Sequence, residues 1–381
     1  MMASALQKSA DSTDGTPAST SPESAGASAF QLTSSQRSSS STNESPSPPF
    51  IHVEGVANFR DLGGYPCRPA PSSHFPAQRC YVTRRLTVFR SAQLTGITAN
   101  GTKTLCQDLR VRRVYDLRSE AEVNNQTHPT GPAGAEGVER ILVPVFRERD
   151  HSQRWARKYK NYTDPDEDES HGYSAGFVRA YRDIGENAGP AYQRIWEHIR
   201  DREIQDDAGS SRPEPLLFHC AAGKDRTGVF AALVLRLCGV PDEVIAWEYS
   251  ITEQGLGSWR ESIIAHMMKG GHEGSGVPAM TRQEAERAVG SRATNMMVFL
   301  KDVVDKEWGG VEKYMQDHCD LTAQDIDTVR RRLVVEGDSP YGDGTGYWKP
   351  SDTTEADEKG PLGLAKDHGS GREREQRVMT G

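Results

Sequence analysis

One stretch constrains this chain more than any other: residues 215–230, PLLFHCAAGKDRTGVF. Residues 215–220 form a short apolar run of the kind that makes a buried strand. Residues 227–237 are strongly apolar and read as a helix, with Gly239 and Pro241 as its stop. Seven residues, Cys220 to Arg226, join the two. The rest of the pattern agrees. Short strands are predicted at 86–89, 111–117 and 141–145, the last at an edge or end because of Pro144. Helices are predicted at 98–109, at 177–200 with a break near Gly189-Pro190, after a cap at Asp242, and at 295–308. A further helix starts at a capping-box-like Thr322-Ala-Gln-Asp325. Strands alternating with helices give an α/β fold with a central, mainly parallel sheet flanked by helices.

Composition sets the boundaries. Hydrophobic residues are only 35% of the 381, and the deficit is concentrated at the ends. Residues 1–48 hold about 20 Ser or Thr, and 337–381 are rich in Gly and charge. Both are expected to be disordered tails around one catalytic domain at 49–336. Within that domain, 146–176 runs from a basic half to an acidic half, DPDEDE, and reads either as a solvated loop or as a lid inserted over a site. A net charge of -8 disfavours a nucleic-acid partner. No apolar run is long enough for an integral membrane segment. The first residues lack the layout of a secretory signal, and Cys67, Cys80, Cys106, Cys220, Cys238 and Cys319 form no CxxC pair. An intracellular, cytoplasmic protein with reduced thiols is expected. Oligomeric state is not legible.

The chemistry sits in the loop. Ala221, Ala222 and Gly223 are small, so the backbone N–H groups of Ala221, Ala222, Gly223, Lys224, Asp225, Arg226 and Thr227 can approach one centre. The helix N-terminus aims its unpaired N–H groups and positive dipole end at the same place. That is an anion cradle, and Arg226 adds a planar fork for two phosphate oxygens. A helix N-terminus and nearby cations favour the thiolate of Cys220. A thiolate facing a bound phosphate monoester is a nucleophile, and its product is a cysteinyl-phosphate that water later hydrolyses. Thr227 is expected to hydrogen-bond the thiolate, and His219 to support the loop. The reaction calls for no metal and no cofactor.

The motif HC-x5-R-[ST]-G resembles the cysteine-dependent protein tyrosine phosphatases, and more narrowly the tyrosine/serine phosphatase group whose loop reads HCxAGKDRTG. The resemblance covers most of 51–336: NFRDLGG (58–64), FRSAQL (89–94), YDLRSEAE (115–122), HCAAGKDRTG (219–228), EYSIT (248–252) and WGGVEKYM (308–315) stand in the group's order. It implies a tyrosine-phosphatase-like fold and a hydrolase acting on phosphotyrosine protein. Many relatives carry a general acid on a Trp-Pro-Asp loop, which is missing here. Asp183 has that spacing but reads as a surface charge on a helix. Asp116 is preferred as the acid, because it ends a strand expected beside the Cys220 strand and ligands bind at carboxyl ends of such strands. Asp225, inside the loop, is second, and Asp164 or Asp166 in the possible lid follows.

Lys224 bears on the substrate. An ammonium in the cradle would favour highly charged ligands, and HCxxGKxR also resembles the phosphoinositide phosphatases. A phosphoinositide or dual-specificity phosphatase with the same mechanism is therefore the alternative, and the bland reading of Lys224 is an exposed loop charge. A catalytically silent phosphate-binding adaptor is more remote, since Cys220 and Arg226 are both present. Sulfur-transfer or arsenate-reducing chemistry is more remote still. Asn58, Arg60 and Asp61 are expected to tie the N-terminal segment to the sheet, and Arg90 and Arg118 to be buried braces.

Overall fold

A computed structural model of the chain describes residues 49–70, 72–124, 138–147, 161–162, 172–205, 209–270 and 279–340. All of them lie in the unit from Asn43 to Gly381. The tails expected at 1–48 and 337–381 (bar its first four residues), and most of the lid at 146–176 with Asp164 and Asp166, fall outside the described residues.

Ten short strands occur among the described residues: β1 Arg60–Asp61, β2 Pro66–Cys67, β3 Tyr81–Thr83, β4 Val88–Ser91, β5 Arg113–Asp116, β6 Glu139–Leu142, β7 Glu203–Gln205, β8 Ser211–Pro213, β9 Leu216–His219 and β10 Val334–Glu336. The main sheet has the order β1-β4-β9-β5-β6. Its β4–β9, β9–β5 and β5–β6 pairs are parallel, and β1 joins β4 antiparallel. β9 is thus central and β6 is an edge. Strand β9 is buried throughout. Its period of two divides it between layers: Leu216 and Phe218 enter the larger core, and Leu217 enters the smaller core on the other face. Val88 and Phe89 on β4, and Tyr115 and Val114 on β5, split the same way.

The smaller core is covered by residues 51–59 and by α1 (Ala99–Lys103), which widens into a π turn at Thr104–Asp108. A short helix, α2 (Glu120–Asn124), follows β5. The larger core is covered by α3 (Ala175–Asp201) and α4 (Asp225–Leu237). α5 (Asp242–Ser250) contributes to it as well, with α6 (Thr252–Leu256), α7 (Trp259–Lys269) and α8 (Arg282–Val289) beyond. α9 (Ala293–Val298) runs into a π segment, Phe299–Glu307. α10 (Val311–Cys319) and α11 (Ala323–Leu333) complete the set. Thr322 and Asp325 close the expected capping box at α11. Asp242 is not a cap; it is the first residue of α5 and pairs with Arg236.

The break expected at Gly189-Pro190 does not occur. α3 runs unbroken for 27 residues with Pro190 inside it. The Pro190 ring is exposed, so the carbonyl that it leaves without an N–H partner can be hydrated. Gly189 is demanded by packing instead: a Cβ there would meet the His318 carbonyl oxygen at 1.9 Å. Under the junction of β9 and α4, Phe230 lies 4.6 Å from Tyr192, 4.8 Å from Trp196 and 4.9 Å from Phe218, centroid to centroid. These rings fix the strand–loop–helix unit from below. Truncating Phe230 to Ala would cost about 3–5 kcal/mol.

Candidate active site

The loop that leaves β9 at His219 and enters α4 has its carbonyl oxygens tied back. The carbonyl of Cys220 accepts from His219 Nδ1 at 3.0 Å, and that of Ala221 from the Gln93 N–H at 2.9 Å. Asn58 Nδ2 donates to Ala222 at 3.1 Å and to Gly223 at 3.2 Å. Arg90 Nη2 also donates to Gly223, at 2.7 Å. The Lys224 oxygen accepts from Gly228 N–H at 2.7 Å, and the Arg226 oxygen from the Tyr192 hydroxyl at 2.8 Å. No hydrogen bond among the described residues uses the N–H groups of Ala221, Ala222, Gly223 or Lys224. Buried N–H groups are seldom left unpaired. A run of them at a helix N-terminus is a site for an anion.

Gly223 makes the turn possible. Its φ is +66°, and a Cβ would meet the Ser91 carbonyl oxygen at 2.2 Å. Cys220 is buried at the mouth of the loop, within electrostatic reach of Arg226 and Arg90.

Arg226 is gripped end-on. Its Nη1 and Nη2 donate to Glu122 on α2 at 2.6 and 2.7 Å. Burial alone would lower the Arg226 pKa, but Glu122 outweighs it and holds the charge in place. Glu122 in turn accepts from the N–H and hydroxyl of Ser119. A guanidinium has five N–H donors, so the Nε side of the fork is left for a second anion. Nothing in the sequence pattern marked Glu122; only its place in YDLRSEAE, at a helical position just after β5, hinted at it.

The two preferred acids have different surroundings. β5 does lie beside β9, with Asp116 paired to His219 in register. But Asp116 is fully buried and already engaged. Arg118 Nε and Nη2 reach it at 2.9 and 2.6 Å, and Arg140 Nη2 at 2.7 Å. Burial pushes its carboxyl up, but the hydrogen-bonded Arg118 guanidinium outweighs burial and holds it well below the usual carboxylate range. His219, buried, is itself pushed down and is neutral near pH 7, so the arginines carry the effect. Asp225 opens α4. Its Oδ1 is buried and accepts no hydrogen bond, with Lys224 Nζ 3.3 Å away. Asp183 sits on α3, where it accepts from Asn187.

Lys224 departs from the sequence expectation. It is neither an exposed charge nor a cation in the cradle. The side chain is buried, and Nζ donates to the carbonyls of Ala288 and Gly290 at 2.6 and 2.9 Å. It also lies 4.7 Å from the Phe177 ring centroid. The ammonium satisfies the C-terminal end of α8, where cations are favoured, and it fastens the loop to that helix. The Thr227 hydroxyl is buried and makes no hydrogen bond, to Cys220 or to any other described residue.

Set beside known proteins, residues 51–335 match the model of the tyrosine phosphatase family. The chain belongs to the tyrosine phosphatase family. It is accordingly a phosphatase, a phosphoric monoester hydrolase. Among its relatives is the triple specificity protein phosphatase PtpB of Mycobacterium tuberculosis, 26% identical over an alignment of 289 residues that covers 70% of this chain and 92% of that one. A putative tyrosine-protein phosphatase of Cupriavidus necator is 34% identical over 107 residues, 28% of this chain and 36% of the relative. A tyrosine-protein phosphatase of Nostoc commune is 26% identical over 156 residues, 39% and 46% of the two chains. The solved structure of TpbA from P. aeruginosa is 15% identical and covers 62% of this chain and 95% of its own, with a TM-score of 0.21. At that score the overlap is too loose to compare the folds in detail. No helix among the described residues of this phosphatase is long and apolar enough to cross a membrane.

Proposed function

We propose that this phosphatase hydrolyses phosphotyrosine in proteins through a cysteinyl-phosphate on Cys220, with Asp225 as general acid. The observation that carries the reading is the loop itself: five consecutive carbonyls, Cys220 to Lys224, are bonded away, and the N–H groups of Ala221, Ala222, Gly223 and Lys224 have no partner among the described residues. The phosphate dianion takes those N–H groups and the Nε side of Arg226. The Cys220 thiolate attacks phosphorus; the S–P bond forms as the P–O bond to tyrosine breaks. Asp225 gives its proton to the departing phenolate. Water then attacks phosphorus, Asp225 takes back a proton, and the S–P bond breaks to regenerate the thiolate. Arg226, pre-set by Glu122, stabilises the equatorial oxygens in both steps. Asp116 is then a brace for Arg118 and Arg140 rather than the acid. Residues 49–336 act as one catalytic unit, and the six free cysteines support a reducing, intracellular place of action.

Phosphotyrosine ranks ahead of phosphoinositide because Lys224, the feature that favoured polyanionic ligands, spends its ammonium on α8. A broader range is the second reading, favoured by the M. tuberculosis relative, a triple specificity protein phosphatase. The test is phosphate release in the presence of chelator from a phosphotyrosine peptide, a phosphoserine peptide and phosphoinositide vesicles, with wild type and Cys220→Ser. Turnover of the tyrosine peptide above the others, lost in Cys220→Ser, is expected. Preferential turnover of the vesicles, or activity surviving in Cys220→Ser, would contradict the reading.

A further inference from the structure

Behind the loop lies a cluster of charges with no access to solvent. Glu248 on α5 is buried, and so are Arg60 on β1 and Arg90 on β4. Glu248 Oε1 accepts from Arg60 Nε at 2.6 Å and Oε2 from Arg90 Nη1 at 2.6 Å. Arg60 also reaches the Glu248 carbonyl at 3.2 Å and the Thr252 hydroxyl at 3.0 Å through Nη2. Through Nη1 it donates to the Asn58 side-chain oxygen.

Two arms leave this centre and converge on the same stretch of loop. One runs from Glu248 through Arg90 to the Gly223 carbonyl. The other runs from Glu248 through Arg60 and Asn58 to the carbonyls of Ala222 and Gly223. Asn58 holds a left-handed backbone, φ +59°, which asparagine tolerates better than most side chains. Its backbone N–H is anchored to the Gly255 carbonyl at 2.7 Å.

The charges do not balance. Two guanidinium groups face one carboxylate. Burial, and then neighbouring Arg60, pull Arg90 down only to about 10, so it stays charged at neutral pH. Isolated buried charge is costly, and paired buried ions often add little to stability. A cluster that retains an extra cation directly behind an anion cradle does more for the site than for the fold.

We propose that Glu248, with Arg60, Arg90 and Asn58, forms a positioning device for phosphate binding. It turns the Ala222 and Gly223 carbonyls out of the cradle and keeps one unbalanced positive charge behind it. None of the four touches substrate. Glu248 sets the two arginines, and these, with Asn58, set the loop. The inference rests on the phosphatase reading for turnover, but its binding arm does not.

The test uses full-length protein and two readouts: kcat and KM on a phosphotyrosine peptide, and the dissociation constant for inorganic phosphate by equilibrium dialysis. The variants are Arg90→Lys, which keeps the charge but not the fork, and Asn58→Gly, which suits the left-handed backbone and removes the whole side chain with its amide. Glu248→Gln is added where it folds. Val329→Ala, in the core on α11, serves as a control of comparable instability. A small displacement of a reacting group costs about 10²-fold in rate. We expect Arg90→Lys and Asn58→Gly to lose about that much in kcat and to bind phosphate about 10-fold more weakly, with Val329→Ala unchanged per folded molecule. Phosphate binding at the wild-type value in both variants would overturn the proposal, as would a kcat loss no larger than that of Val329→Ala. If wild type itself leaves phosphotyrosine intact, the functional reading fails, and the phosphate constants still decide the positioning role.

Discussion

Two aspartates flank the Cys220 loop, and their neighbours divide the work between them. Asp116 has two arginines on it and no room to hold a proton; Asp225 has a buried oxygen that accepts no hydrogen bond, with the Lys224 ammonium 3.3 Å away. Replacing Asp225 with Asn should lower kcat about 10²–10⁴-fold on phosphotyrosine. The loss should shrink on an aryl phosphate whose leaving group needs no proton. Asp116→Asn should show no such dependence on the leaving group. It should instead destabilise the fold by about 3–5 kcal/mol, by leaving Arg118 and Arg140 without their carboxylate. Urea melts and rates on the two substrates separate the cases. If Asp116→Asn shows the leaving-group effect and Asp225→Asn does not, the roles are reversed. The motif singles out Cys220 and Arg226 because one contiguous window contains a thiol, a guanidinium fork and a helix start. Lys224 lies in the same window, yet its side chain leaves the loop for α8. Where a long side chain goes depends on what packs beside the loop, and Ala288 and Gly290 are 64 and 66 residues away.

Elements followed the sequence where hydrophobic period and capping act locally. β9, α4 and the capped start of α11 are set by their own residues. The Gly189-Pro190 pair predicts a break in α3, because Gly-Pro punctuates most chains. Its continuity comes from the tertiary contact that Gly189 permits and from solvent at Pro190. Near its C-terminus, α3 is tied to the sheet by His198. Its Nδ1 meets the Tyr115 hydroxyl and its Nε2 the Glu214 carbonyl, both at 3.0 Å. The carbonyl can only accept, so Nε2 carries a proton. Burial lowers its pKa to about 4. In the unfolded chain the ring titrates near 6.5. Between those values the unfolded state takes a proton that the folded state refuses. This contribution is complete above about pH 6.5 and is lost as pH falls toward 4. His198→Gln keeps a donor for Glu214 but does not titrate. Its urea midpoint should therefore fall less steeply than that of wild type over that interval; an identical slope would remove His198 from the account.

At the scale of the molecule, the site is assembled from distant segments. Asn58 and Arg90 arrive from the N-terminal side of the sheet, Glu122 from the short helix after β5, Tyr192 from α3 and Glu248 from α5. The fork of Arg226 meets its carboxylate across 104 residues, and Arg90 meets Glu248 across 158. Such pairings leave no period and no spacing in a single sequence, so the braces were invisible while the cradle was not. In the proposed mechanism, braces and cradle serve one chemical event, the transfer of phosphate to Cys220. The most direct test is to quench wild type in acid during turnover of a phosphotyrosine peptide and map the phosphate by mass spectrometry. The account predicts a phosphorylated Cys220 peptide that builds within the first turnover and is absent from Cys220→Ser. Steady turnover with no enzyme-bound phosphate, or with phosphate on another residue, would contradict it.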